Sequence, residues 1–428
     1  MKKFTFLFLI AFLLNACNTT KQEQRSMFPF PCTTTTNRCE YYIDETGAPI
    51  KALNDVIRQP NDKDYTTYAP GFFKDGLLSF EESSHFTTED EERYLYINPQ
   101  GEIVVDVKEV LKKRGERKNF IYHPSNCHFS DFSEGIAFIE YSNRNECFAI
   151  DKNGNELFDL DGEPLTAFNG GYAIFYKNYK YGVINTKGEV VLEPNDSIIN
   201  EIPSQGLICF EGKDDLRGAM DIKGNVVVKP ISTTSLYFED NDCAIFRSRE
   251  TRNYGVINKN NEIVIEPKYD ELVYDGDYYW YKLTTTEDDE NGYHKYTTTT
   301  GWLTHDGKVA YESFEYVFPF YGSDITFFHH KSDNDNTKST MYINEDFKLI
   351  GVDPNYMLLS PFVNGIALGY NEAEDYCALI DKNNINSINP EVCTAEGFHE
   401  VIPSSIFYEE HEEMGKYAIY PWWDWKWH

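Results

Sequence analysis

Short apolar runs of about five residues recur along the whole chain, separated by polar clusters rich in Asn, Asp and Gly. The runs "GLLSF" (76–80), "GIAFIEY" (135–141), "GYAIFY" (171–176), "GLICF" (206–210), "CAIFR" (243–247) and "GIALGY" (365–370) each predict one short strand. After each comes an apolar or aromatic run that ends at Asn, Asp or Thr, then a turn, then a β-branched run. That order predicts a three-stranded antiparallel meander, repeated. A single stretch, "IVVDVKEVLKKRGE" (103–116), reads as helix, and we expect it to be a decoration on an otherwise β chain.

The repetition is explicit. "KYGVINTKGEVVLEP" (180–194) and "NYGVINKNNEIVIEP" (253–267) agree at nine of fifteen positions. Weaker copies extend the series, with anchors at Asp44, Asn98, Asp151, Asn185, Asp221, Asn258, Thr304, Asn344 and Asp381. The anchor's short polar side chain can bond the backbone two residues on, and the Gly three positions later supplies a left-handed turn residue. Asn185 with Gly188 and Asn258 with Asn261 are therefore read as structural turn residues. Asn261 and Asn384 are the next best occupants of the Gly position, whereas Phe347 is expected to distort its turn. A lone meander cannot bury enough apolar surface to be stable, so successive copies must stack. The expected fold is all-β, a repeat array of about nine three-stranded antiparallel units over 39–400. It is β-propeller-like, with an open curved β-solenoid as the alternative.

The pattern G-x-A-x-F, then Y-G-V-I-N-x-x-G-x-V-V-x-E-P, then Y-D at Tyr269-Asp270, resembles the WG-repeat family of bacterial proteins across about residues 39–390. Tyr181-Gly182 and Tyr254-Gly255 stand where that family has Trp-Gly, keeping an aromatic ring beside the glycine. The resemblance implies a β-repeat scaffold, often on secreted or lipid-anchored proteins. It supplies no catalytic residues.

The ends change the picture of location. "MKKFTFLFLIAFLLNAC" has two lysines and then an apolar run too short to span a bilayer. Its end at Leu14-Asn15-Ala16-Cys17 resembles the lipobox of bacterial lipoproteins, which implies cleavage before Cys17 and lipidation of its sulfur. Residues 1–17 are thus expected to be a lipoprotein signal peptide and 18–38 a tether, placing the protein in the bacterial envelope, at the outer membrane. At 401–428 an aromatic segment ends in "YPWWDWKWH". Trp422, Trp423, Trp425 and Trp427 there could stack on carbohydrate or cap the array as a last strand, and the alternation of Trp423, Trp425 and Trp427 favours the cap.

Charge and motifs mostly exclude. A formal net charge of −31 argues against nucleic acid as a partner. The sequence lacks C-x-x-C, H-E-x-x-H, G-x-S-x-G and a P-loop, so no metal and no cofactor is expected. Of the cysteines beyond Cys17, Cys32 with Cys39 and Cys377 with Cys393 are the easiest disulfides, while Cys209 and Cys243 lie in apolar runs as buried thiols. "EDND" (239–242) and "DNDN" (333–336) lack the spacing of a calcium loop, and His329-His330 would point to opposite strand faces. His123 and His128, near Cys127, are the remaining metal candidates. The expected role is a non-enzymatic binding or scaffold lipoprotein with an envelope protein or glycan as partner. The alternative is a polysaccharide hydrolase using a carboxylate pair on a propeller.

Overall fold

The computed structural model describes residues 30–33, 40–44, 50–57, 73–82, 93–123, 126–288, 293–320, 325–331 and 338–350, and the strands at 356–358, 366–371, 376–381 and 393–394. The chain is a nearly all-β repeat array. Among the described residues, nine small antiparallel sheets follow one another in chain order, and each has one anchor at or just after the end of its second or third strand. We name each unit by its anchor.

The Asn185 unit shows the plan. Tyr172–Lys177 pairs with Lys180–Asn185, which pairs in turn with the outer strand Val190–Asn195. The Asp221 and Asn258 units repeat it with Leu207–Glu211, Arg217–Asp221 and Val226–Ser232, and with Cys243–Arg247, Tyr254–Asn258 and Ile263–Tyr269. The strand number differs from the expected three in several units. Those of Asp151, Asn185, Thr304 and Asp381 have four, while the Asp44 unit has two strands and the helix Lys51–Ile57 where an outer strand would run. In the Asp381 unit Cys377 lies opposite Cys393 in the strand register. Cys127, Cys147, Cys209 and Cys243 are free thiols, the first three buried and Cys243 half-buried.

The cores lie between units. One apolar cluster joins Ala149 and Leu160 of the Asp151 unit to Ala173, Phe175 and Ile184 of the next. Another joins Ile174 and Val183 to Ile208, Phe210 and Met220. The alternation of a strand explains this directly: Ile184 faces the preceding unit and Val183 the following one, and both are fully buried. The same sharing holds at all seven junctions from the Asp44 unit to the Asn344 unit.

Each turn is also seated on its predecessor. Gly188 has φ +76°, and a Cβ there would come within 2.4 Å of the ring of Phe158, seven residues past the preceding anchor. Gly154 meets Val105, Gly224 meets Leu192 and Gly307 meets Ile265, all at that same repeat position. Asn261, φ 62°, uses its amide instead, donating to the Val227 carbonyl at 2.6 Å and accepting from the Lys229 N–H at 2.7 Å. Phe347 corrects the expectation of a distorted turn. It takes φ 58°, its N–H still bonds the Asn344 carbonyl at 2.7 Å, and its ring stacks on Tyr311 at 5.2 Å beside Trp302. Aromatic packing against the preceding unit offsets the left-handed strain there.

A second glycine is fixed by sterics alone. Gly182 lies opposite Phe175, and a Cβ on it would come within 2.5 Å of that ring and 3.0 Å of Pro194. Gly255 is pressed likewise by Phe246 and by the bulged outer strand at Pro267. This is why glycine follows the aromatic residue in the repeated dipeptide. The proline also blunts the exposed edge, because it has no N–H to offer another strand.

Gly188→Ala should destabilise the protein by about 2 kcal/mol or more, since it adds a clash to the left-handed penalty. Gly224→Ala, whose Cβ would meet only Leu192 at an ordinary 3.5 Å, should lose about 1 kcal/mol. Urea unfolding of the two variants checks the order.

Candidate interaction surface

The anchor side chains are the first polar groups to place. The Asn185 Oδ1 accepts from the N–H groups of Lys187 and Glu189, both at 3.0 Å, and its amide donates to the Glu189 carboxylate at 2.8 Å. Asn258 does the same with Asn260 and Glu262. Asp151 and Asp221 reverse the outer bond: each accepts from an asparagine amide, Asn155 at 3.0 Å and Asn225 at 2.9 Å. The Asn98, Asn185 and Asn258 anchors are thus paired with Glu four residues on, and Asp151 and Asp221 with Asn, so in these five turns donor meets acceptor.

Those bonds set the acidity of the carboxyl groups. Amide and N–H donation from Asn225 holds Asp221 below the usual carboxylate range. Partial burial alone would raise Asp151, but donors on Asn155 and Asn153 outweigh it and hold that group low as well. These anchors are ionised acceptors locked in their own turns.

The helix expected as decoration is a bridge. Strand Ile103–Asp106 runs first; the helix is Val107–Lys118, N-capped by the Asp106 carboxylate on the Lys108 N–H at 2.9 Å and ended by left-handed Asn119. It presents Val107, Val110, Leu111 and Arg114 to the neighbouring sheet. Arg114 is 1% exposed, lies over the Phe148 ring at 4.0 Å, and pairs with Glu156 at 2.5 Å, Asp159 at 2.8 Å and Glu146 at 3.3 Å. Tyr122 completes the set by donating to Glu146 at 2.6 Å. Burial opposes the charge on Arg114, yet the hydrogen bonds and carboxylates around it raise its pKa further above the ordinary value. Glu146 and Asp159 are held low against their own partial burial by the same contacts.

At the rim, an apolar residue stays in water at one repeat position in six units. Five positions past the anchor, Val190, Val226, Ile263, Val309 and Leu349 are 42–61% exposed, and Ile103 is 53% exposed. The Asp151 unit has Glu156 there instead, under Arg114.

Of the sequence candidates, Cys17, Trp422, Trp423, Trp425, Trp427 and "DNDN" (333–336) lie outside the described residues. The side chains of His329 and His330 do as well. "EDND" (239–242) is a hairpin tip whose acids are engaged, Asp240 by the Tyr274 hydroxyl and Asp242 by Lys259. His128 sits opposite Glu140 in register, and among the described residues no group of His, Cys, Asp or Glu is arranged to hold a metal ion. Burial pushes the Glu140 carboxyl up and nearby Glu163 adds to it, while His128 opposes. Burial likewise raises the Cys127 thiol to about 12, unsuited to nucleophilic chemistry. The sequence reading missed Arg114, although an arginine three residues beyond Leu111 on the apolar face of the helix was a usable signal.

The family model described as "WG containing repeat" matches residues 181–195 and 254–283, the segments that carry the Tyr-Gly dipeptides and the Asn185 and Asn258 turns. These two units are WG repeats. A search of curated proteins finds no match. Among solved structures, the chain is similar to Kluyveromyces lactis Hsv2, at 9% identity and TM-score 0.34, over 75% of this chain and 99% of that one. It is also similar to a prolyl endopeptidase, at 9% and 0.31, over 78% of this chain and 55% of that one. The β-propeller domain of the trilobed protease from Pyrococcus furiosus matches at 8% and 0.27, over 77% and 85%. At such TM-scores these likenesses carry no argument about closure, ligand or chemistry.

Two predictions follow the polar contacts. Asn185→Asp sets a carboxylate against Glu189 and should destabilise by about 1 kcal/mol, and adding Glu189→Asn should restore most of the loss in a double-mutant cycle. Arg114→Ala removes the buried member of a network in which Glu156, Asp159 and Glu146 keep only the exposed cations Arg117, Lys118 and Arg144, and it opens a gap over Phe148. It should lose about 2 kcal/mol, read by urea unfolding.

Proposed function

We propose that this WG-repeat chain is a non-enzymatic binding scaffold of the bacterial cell envelope. It is tethered to the membrane through lipidated Cys17 and presents its outer strands, loops and aromatic C-terminal segment to a protein or glycan. The observation that carries this reading is the fate of the repeat's polar residues. Anchors Asn98, Asp151, Asn185, Asp221 and Asn258 all spend their hydrogen bonds within their own turns, while six outer strands turn an apolar residue to water at the same repeat position. A surface that repeats at each unit suits extended binding better than a single reaction centre. The −31 charge keeps such a chain soluble outside the cytoplasm and away from nucleic acid.

The second reading is a polysaccharide hydrolase, favoured by the raised Glu140 carboxyl beside Glu163. Incubating the full chain with envelope polysaccharides separates the two. We expect saturable binding without release of reducing ends, weakened about tenfold when Trp422, Trp423, Trp425 and Trp427 are all changed to Ala. Reducing ends that disappear with Glu140→Gln would establish the hydrolase instead. Labelled palmitate should enter the wild-type chain and fail to enter Cys17→Ser.

A further inference from the structure

The outer strand offers a repeated subsite whose occupant is already visible once within the molecule. In the Asp151 unit the register sets Glu156 opposite Ile150 and Asp159 opposite Phe148, with a bulge at Leu157 between them. The bulge shifts the alternation, so residues five and eight positions past the anchor share one face. Together they grip one guanidinium, Arg114 from the Val107–Lys118 helix, at 2.5 and 2.8 Å. That helix lies against the rim between two consecutive outer strands.

The first bulge recurs in the Asn185 and Asn258 units, where Ile184 is opposite Val190 and Ile257 opposite Ile263, and a second register shift follows it, between Leu192 and Asn195 and between Ile265 and Tyr269. Leu192 and Ile265 face the following turn, so the next residues, Glu193 and Glu266, share the other face with Val190 and Ile263. All four are exposed. Each of these faces therefore offers an exposed aliphatic surface with an exposed carboxylate three residues further along the strand, at the two sequence positions that hold Arg114 in the Asp151 unit. An arginine or lysine fits that pair, its methylene stem on the apolar residue and its head on the acid. The Thr304 unit has Val309 and Glu312 at these positions, but the Tyr281 hydroxyl already holds Glu312 at 2.6 Å, and the Asp221 unit has Val226 and Lys229, a cation that would repel such a head.

We propose that the rim faces at Val190/Glu193 and Ile263/Glu266 dock basic amphipathic helices of a partner protein, as the chain docks its own helix at Glu156/Asp159. Two features argue for that occupant. The internal helix carries six basic and two acidic residues, and the chain that receives it is acidic overall at −31. The helix is also already seated in its own chain, so the two open faces call for helices from elsewhere. The inference deepens the binding-scaffold reading and rests on it.

The probe is a hydrocarbon-stapled peptide with the sequence of residues 107–118, titrated against the full chain in detergent by fluorescence anisotropy. We expect saturable binding that weakens as salt rises. It should fall about tenfold in the Glu193→Gln/Glu266→Gln double variant, each exposed pair accounting for a few-fold. A peptide with Arg114→Ala should lose a similar factor, and Lys229→Gln in the protein should not weaken binding. No saturable binding, or equal binding by the double variant, overturns the proposal. Glycan binding by the same preparation without peptide binding would overturn the helix-docking sites and leave the scaffold reading standing, whereas loss of both would remove the two together.

Discussion

Everything in this molecule depends on how one unit's turn meets the outer strand of the unit before it. Among the described turns, a left-handed residue three positions past the anchor is pressed onto the previous unit, in most cases onto the residue seven positions past that unit's anchor: Gly154 on Val105, Gly188 on Phe158, Gly307 on Ile265. The contact is directional and repeats at nearly every junction. Because the apolar clusters also straddle the junctions, a unit cut free would expose both faces of its central strand. Stability therefore belongs to the series and not to any single meander.

That constraint tolerates several chemical solutions, which is why the repeats look degenerate. Glycine meets it by lacking a Cβ. Asn261 meets it with two hydrogen bonds to the neighbouring backbone, and Phe347 with a ring set among Trp302, Tyr311 and Phe320. The anchor is equally permissive, since Asn with Glu and Asp with Asn satisfy the same two ends of one hydrogen bond in opposite senses. What is preserved from unit to unit is a geometric role, and residue identity follows only where one residue alone can fill it.

The Val107–Lys118 helix shows that the rim of the array can be an interface. Most of its basic residues face water, but Arg114 is buried among three carboxylates and an aromatic ring. Desolvating a guanidinium is tolerable only with that full set of partners. The helix thus fastens the Asn98 unit to the Asp151 unit by polar as well as apolar contacts. Where later units put Val190 or Ile263 in place of Glu156, the rim stays in water and the scaffold keeps a surface to offer.

How much of this was legible beforehand can be judged from particular residues. The repeat, the nine anchors and the meander were readable because they rest on local rules: alternation along a strand, and a polar cap followed by a glycine turn. The structure departs from that reading in strand count, in the helix that replaces an outer strand at Lys51–Ile57, and in the undistorted turn at Phe347. The seating of Gly188 on Phe158, the steric demand at Gly182 and the carboxylates around Arg114 were not readable, for each joins residues about thirty or more positions apart or depends on a bulge that shifts the register. Sequence alone determined the unit and its order, because those are encoded within one hairpin. Only the tertiary structure decided what each unit leans on and which faces remain open, because those are properties of neighbouring units in contact.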